Sequence, residues 1–368
     1  MMNTIISELF NTPETKKFFK RLPAKVAGAS NVYLIKMNYN YSNQNAYSYL
    51  NGCVFKCESD TATCDDIDIL IDVLPNITYS TKLIECAKKQ FKYYDGTWFR
   101  LYWNKYLNEW KIATSQLVNG EIATWNNVAI GKNFQVFVDT LDKESLNKES
   151  TYFFIYSHPF ITFDPQVDCE RIQYIAEVNN GVIVENDIFK TNDEPIDESC
   201  NVIQMTDNAV NMVIQNELYQ QIKDHFRVDL NTVFLNFYAK PIDNDSIMKL
   251  FFDVCPRFVQ PFHDFVDNPM LEHLVRKIVS FTNNNITKYF GHMRTPIERL
   301  DPKTFKIWCA MLMRVDPNHK WDYDRKTATP FTNMKQMNVE CVKLLTNEVY
   351  VREKLCDLPI ADVMAALM

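Results

Sequence analysis

Asp95-Gly96, Arg100 and the aromatic side chains around them are where this chain of 368 residues could do chemistry. They lie in one stretch, Lys92 to Thr114, which reads KYYDGTWFRLYWNKYLNEWKIAT. An Asp-Gly pair lets the backbone turn sharply or come close to a ligand, because glycine carries no Cβ. Trp98 and Arg100 are two residues apart, so on an extended strand they share a face. An aromatic face beside a guanidinium can stack a base and hold a phosphate without forming any bond. The plainer alternative makes Trp98 and Trp110 core residues and Asp95-Gly96 an ordinary turn.

The elements that must position these residues follow from pattern. Two apolar-rich runs, 97–102 and 110–114, flank a polar connection and are expected to pair as a β-hairpin. Strands are expected over 32–37, 53–56, 152–156 and 172–178, the last ending at Asn179-Asn180-Gly181. Helices are expected over 14–22, entered through Thr12-Pro13, over 80–90, and over 209–225. Two more strands, 232–238 and 247–254, follow. From Asn268-Pro269 onward the pattern turns helical, with a second cap-and-proline start at Asp301-Pro302. Leu271, Leu274, Val275 and Ile278 recur at helical spacing, as do Phe305, Trp308, Cys309 and Leu312. Two helices, around 333–345 and 347–355, come last.

Composition narrows the function classes. A net charge of −7 and a sequence pI near 5.5 argue against a globally basic nucleic-acid binder, while leaving room for a local basic groove. No window reaches the ~20 apolar residues of a membrane helix, so no membrane partner is expected. Of ten cysteines, only Cys53, Cys57 and Cys64 cluster, without a histidine or a CxxC pair. They read as reduced packing thiols with no disulfide partner, in a reducing compartment. Asp65, Asp66, Asp68 and Asp72 alternate with Ile67, Ile69 and Ile71; a half-buried strand with a solvated face explains this better than a metal site. Abundant Asn, Ile, Lys, Tyr and Phe suit an AT-rich genome.

The Lys92–Thr114 stretch resembles the nucleotide-binding hairpin of the T-even phage RNA ligase family, and especially its relatives in large DNA viruses. That family opens its first motif with lysine, a variable residue, an acidic residue, glycine, and serine or threonine. A strand carrying arginine follows, and a return strand runs from tryptophan to threonine. Asp95-Gly96-Thr97, Arg100 and Trp110 through Thr114 match this pattern. The resemblance thereby implies nucleotide-binding roles for Asp95, Gly96 and Arg100. It also places Lys249 on the strand of the family's Lys-X-Lys motif, where it would face a phosphate.

Four positions depart from the family. Spacing puts the nucleophilic lysine at Tyr93; the nearest lysine, Lys92, is one residue early and becomes catalytic only if a bulge shifts the motif. The ribose-binding glutamate falls at Ile155, which accepts no hydrogen bond from a hydroxyl. Asn231-Thr232-Val233-Phe234 lacks the next glutamate and glycine, and Phe251 replaces one of the paired lysines.

The resemblance implies an α+β fold: an antiparallel-sheet nucleotidyltransferase domain of ATP-grasp-like ligase type, then an all-helical C-terminal domain. The expected division is an N-terminal subdomain 1–78, a core 79–262 and a helical domain 263–368. The expected function is that of an RNA-ligase-like protein, impaired or inactive in adenylyl transfer, that binds nucleotides, RNA ends or viral proteins. One alternative is an active ATP-dependent RNA ligase joining 5′-phosphate and 3′-hydroxyl ends, with ATP and Mg as cofactors. The other is a virion structural or interaction protein on a ligase-derived fold. Either way the place of work is host cytoplasm or virion.

Overall fold

The computed structural model describes residues 2–12, 19–26, 28–37, 50–58, 67–74, 77–80, 82–126, 128–186, 188–189, 194–197, 200–206, 209–225, 230–239, 245–290, 300–315 and 339–367. The chain divides into two compact units, Met1–His225 and Phe226–Met368. The first carries sheets paired antiparallel except for one parallel edge strand, 77–80, the second is helical, and the whole is an α+β protein.

The first unit holds three sheets. A four-stranded meander joins β1 (Phe19–Pro23), β2 (Val32–Met37), β3 (Val54–Cys57) and β4 (Ile67–Ile71) in that order. Its core takes in Cys53 and Cys57 beside Ile35 and Phe55. Ile67 and Ile71 are buried while Asp68 reaches Lys105, so 67–71 is a half-buried strand; Asp72, expected on its solvated face, is instead buried. Cys64, Asp65 and Asp66 lie outside the described residues.

The central sheet has the order β11-β10-β9-β7-β8, built from β7 (Thr97–Asn104), β8 (Glu109–Thr114), β9 (Thr151–Ser157), β10 (Arg171–Asn179) and β11 (Val182–Val184). The expected hairpin is there: Phe99 pairs with Thr114 and Trp103 with Trp110. Its connection is pinned by Asn104, whose side-chain oxygen accepts from the Tyr106 and Leu107 amides. Asn180 (φ 50°) and Gly181 (φ 76°) form the two-residue turn between β10 and β11, both in the left-handed region that such hairpins require. Strand β9 is buried along its whole length. Tyr152, Phe154 and Tyr156 face the helix Ile130–Asp139, and Phe153 and Ile155 face the third sheet.

That third sheet has the order β5-β13-β12-β6, from β5 (Ile77–Ser80), β6 (Lys89–Tyr93), β12 (Asn201–Met205) and β13 (Val210–Ile214). Residues 80–90 are therefore not a helix. Gln204 of β12 both accepts from the Ile84 amide and donates to the Ile84 carbonyl, satisfying this segment from a strand 120 residues away. Likewise 209–225 is a strand followed by the helix Glu217–His225, because Val210–Ile214 is buried on both faces. Residues 19–22, expected at the end of a helix, form β1; the remainder of that helix, 14–18, lies outside the described residues.

In the second unit, 232–238 and 247–254 are helical, within Leu230–Ala239 and Asp245–Val254, and are not strands. Val233, Phe234, Leu235 and Phe237 are all buried, so apolar residues occupy consecutive positions and period 2 cannot be told from period 3.6. The two proline starts hold: Pro269–Phe290 is capped by Asn268, and Pro302–Val315 by Asp301. Leu271, Leu274, Val275 and Ile278 pack with Phe305, Trp308, Cys309 and Leu312 in one core. The last helices described are Val339–Leu344, Glu348–Cys356 and Ile360–Leu367; 333–338 lie outside the described residues.

Asp301 caps its helix through the Thr304 amide at 2.9 Å and pairs with Lys277. Burial opposes its charge, but the Lys277 ammonium and Thr304 donors hold its carboxyl well below the usual aspartate range. Asp301→Ala should cost about 1–2 kcal/mol, mostly the lost cap, since a half-exposed ion pair adds little. A carboxyl with a depressed folded-state pKa stabilises above its ordinary range and loses that contribution as pH falls. Thermal melts should therefore show wild type and variant converging below about pH 4.

Candidate functional site

The motif loop crosses from one sheet to another. Strand β6 ends at Tyr93 in the third sheet, Tyr94-Asp95-Gly96 bridges, and β7 begins at Thr97 in the central sheet. The crossing is tight. A Cβ on Gly96 would lie 2.2 Å from the Tyr156 carbonyl oxygen, so only glycine lets this loop lie against β9. The Ser157 hydroxyl donates to the Tyr94 carbonyl at 2.9 Å, and Gln173 donates to the Lys92 carbonyl at 2.6 Å.

Tyr93, at the position of the family's nucleophile, is fully buried among Phe91, Ile155 and Ile203 between the two sheets. Lys92 points the other way, as strand alternation requires. Its ammonium lies 5.0 Å from the Tyr94 ring centre and 3.8 Å from the Glu194 carboxylate. The ladder from β6 to β12 runs without a register shift, pairing Lys92 with Val202 and Tyr93 with Asn201, so no bulge moves Lys92 into the Tyr93 position. Burial works against the Lys92 charge. The Tyr94 hydroxyl and the charges of Tyr94, Cys200 and Glu194 outweigh it and keep the amine above the ordinary lysine value.

Asp95 is committed as well. The helix Glu217–His225 brings the Tyr219 hydroxyl onto its carboxylate and sets the Lys223 ammonium 3.2 Å away. The Asp95 amide donates to Asp164, a buried carboxylate that also receives Asn201 Nδ2 at 2.7 Å and the Gln166 amide. Burial, helped by the Asp95 charge and opposed by these donors, pushes the Asp164 carboxyl above its usual value.

Arg100 is 3% exposed and lies in the interior, although it does share its strand face with Trp98. Its guanidinium donates to the carbonyls of Gly52 (2.6 Å), Asp72 (3.4 Å) and Thr114, with the buried Asp72 carboxylate close by. It ties the meander to the hairpin rather than facing a nucleotide. Burial lowers its pKa to about 10. Lys249 is exposed on the helix Asp245–Val254 of the second unit, and Phe251, at the other family lysine position, is fully buried. Ile155 is sealed in the core beside Tyr93.

Asp95 and Gly96 are thus brought together with Lys92 and Tyr93; Arg100 stands apart in the interior and Lys249 belongs to the other unit. Sequence reasoning missed Asp164, Glu194, Arg171, Tyr219 and Lys223. Asp164 carries a local signal, an aspartate before Pro165 whose side chain caps the turn at Gln166. Tyr219 and Lys223 are four apart on one helix face, which means nothing until Asp95 is placed beneath them.

Oδ2 of Asp95 is held by Tyr219 and Lys223, and the Asp164 carboxylate accepts from Asn201 and two backbone amides. Among the described residues no three His, Cys, Asp or Glu side chains gather to hold a metal ion. No helix among them is long and apolar enough to cross a membrane. The chain matches no protein-family model, and no curated protein matches it either.

Proposed function

We propose that this is an RNA-ligase-like protein, of the kind found in large DNA viruses, that no longer transfers adenylyl groups and binds RNA ends. The observation that carries the reading is the state of the nucleophile position. A lysine attacks phosphorus only as the free amine, so nucleophilic lysines have depressed pKa values. Here the aligned residue is a buried tyrosine, and the neighbouring Lys92 amine is held as ammonium beside Glu194. What the loop retains is charge, on the half-buried Lys92 and Asp95, which suits binding without chemistry.

The test is incubation with α-labelled ATP and magnesium, followed by denaturing gels, alongside binding of a single-stranded RNA. No covalent adduct and measurable RNA binding are expected. An adduct that disappears in Lys92→Ala would establish a working ligase and overturn the reading.

A further inference from the structure

Tyr94 carries two cations on its ring. The Lys92 ammonium is 5.0 Å from the ring centre and the Arg171 guanidinium carbon 4.4 Å. All three side chains converge on a single carboxylate: Glu194 accepts from the Tyr94 hydroxyl and lies 3.8 Å from Lys92 Nζ and 3.5 Å from Arg171 Nη1. Asp168 holds the far side of the guanidinium at 3.1 Å, and the buried Arg171 Nε has no hydrogen-bond partner among the described residues.

Three features set this cluster apart from an ordinary ion pair. The donors are built into the fold: Lys92 is the penultimate residue of β6, Arg171 opens β10, and Tyr94 is buried between them, its backbone amide and the Lys92 carbonyl both clamped by Gln173. The acceptor comes from outside the sheets, from the segment 194–197, and its side chain is 39% exposed. Its two cation distances are also long for charge-assisted contacts, which are typically ~2.7–2.9 Å. The Tyr94 hydroxyl is its close contact, and a half-exposed carboxylate whose two cations stand at such range can be exchanged for a more highly charged anion.

We propose that Lys92, Arg171 and the Tyr94 hydroxyl form a cradle for a phosphate monoester, which Glu194 occupies as an internal stand-in. A phosphate dianion offers more charge and more acceptor oxygens than a carboxylate, and the unused Arg171 Nε supplies a further donor. The proposal rests on the RNA-end reading for its ligand: the phosphate is the terminal 5′-phosphate of an RNA strand. It also gives Lys92 a role as a phosphate ligand, for which a raised pKa is an advantage.

The test measures fluorescence anisotropy of one RNA oligonucleotide carrying either a 5′-phosphate or a 5′-hydroxyl, on the full chain. Melting curves confirm that each variant is folded. Glu194→Gln, which keeps the shape and removes the competing charge, should tighten the phosphorylated strand roughly tenfold, about the worth of one charge-assisted contact. Arg171→Gln should weaken the same strand by a similar factor, and neither change should move the hydroxyl strand. Equal affinities for the phosphorylated strand across wild type and both variants overturn the cradle while leaving RNA-end binding intact. Equal tightening of both strands by Glu194→Gln also overturns it, as general electrostatics. If wild type binds neither strand but Glu194→Gln binds inorganic phosphate more tightly than wild type by calorimetry, the cradle stands and the RNA-end reading falls.

Discussion

Arg100→Met should lower the stability of the first unit by about 3–5 kcal/mol, the usual effect of breaking a buried charged cluster from one side. For a unit of this size that is a fall in melting temperature of roughly 6–20 °C. Methionine matches the length of the arginine stem, so the loss measured is mainly that of the guanidinium. Without it the carbonyls of Gly52, Asp72 and Thr114 lose a shared donor, and the buried Asp72 carboxylate loses its neighbouring cation. Asp72 keeps the Val73 and Gly181 amides as donors, so the site is weakened and not emptied. Urea unfolding would give the energy and circular dichroism the melting shift. A variant that melts like wild type yet loses RNA binding would place Arg100 in a binding surface and refute its interior role.

Gly96→Ala should be at least as damaging. The added methyl would sit 2.2 Å from the Tyr156 carbonyl oxygen, 2.8 Å from its carbon and 2.9 Å from Ser157 Oγ. The first two are backbone atoms of a fully buried central strand, and a strand paired on both sides cannot yield without disturbing β7 and β10. Overpacking of this kind reaches or exceeds the ~3 kcal/mol upper end of its usual range. The expected result is a variant largely insoluble or melting far below wild type, with Gly96→Ser equally affected. A fully stable Gly96→Ala would mean that the loop tolerates a shift away from β9. In that case Gly96 would be free to serve ligand approach.

The contrast between these residues and the sequence reading is physical. The hairpin of 97–102 with 110–114 and the two proline-started helices were legible because turn, cap and pairing partner all lie within a few residues. Face-sharing of Trp98 and Arg100 was legible too, but which side of the sheet faces water was not. That side is covered by Gly52 and Asp72, which arrive from the meander. Strands β5 and β6 were missed because their partners lie more than 100 residues later, at 201–214. The helices Leu230–Ala239 and Asp245–Val254 were read as strands because their apolar residues run consecutively. In the candidate site, Asp95, Gly96 and Lys92 were visible as a motif. Glu194, Arg171, Tyr219 and Lys223, which decide the state of that motif, come from distant segments and leave no local mark.

The order β5-β13-β12-β6 has a consequence for how the chain is made. Strands 77–80 and 89–93 leave the ribosome with nothing to pair with until 201–214 follow. At ~5–20 residues per second that interval is on the order of ten seconds. During it Phe91 and Tyr93 lack their sheet, and the Phe153 and Ile155 face of β9 lacks its cover. Closing a loop of this length is slow to nucleate, and open apolar strands invite misassembly meanwhile. The nascent chain therefore passes through a window in which a chaperone, or a second copy, can reach the faces that the finished protein seals.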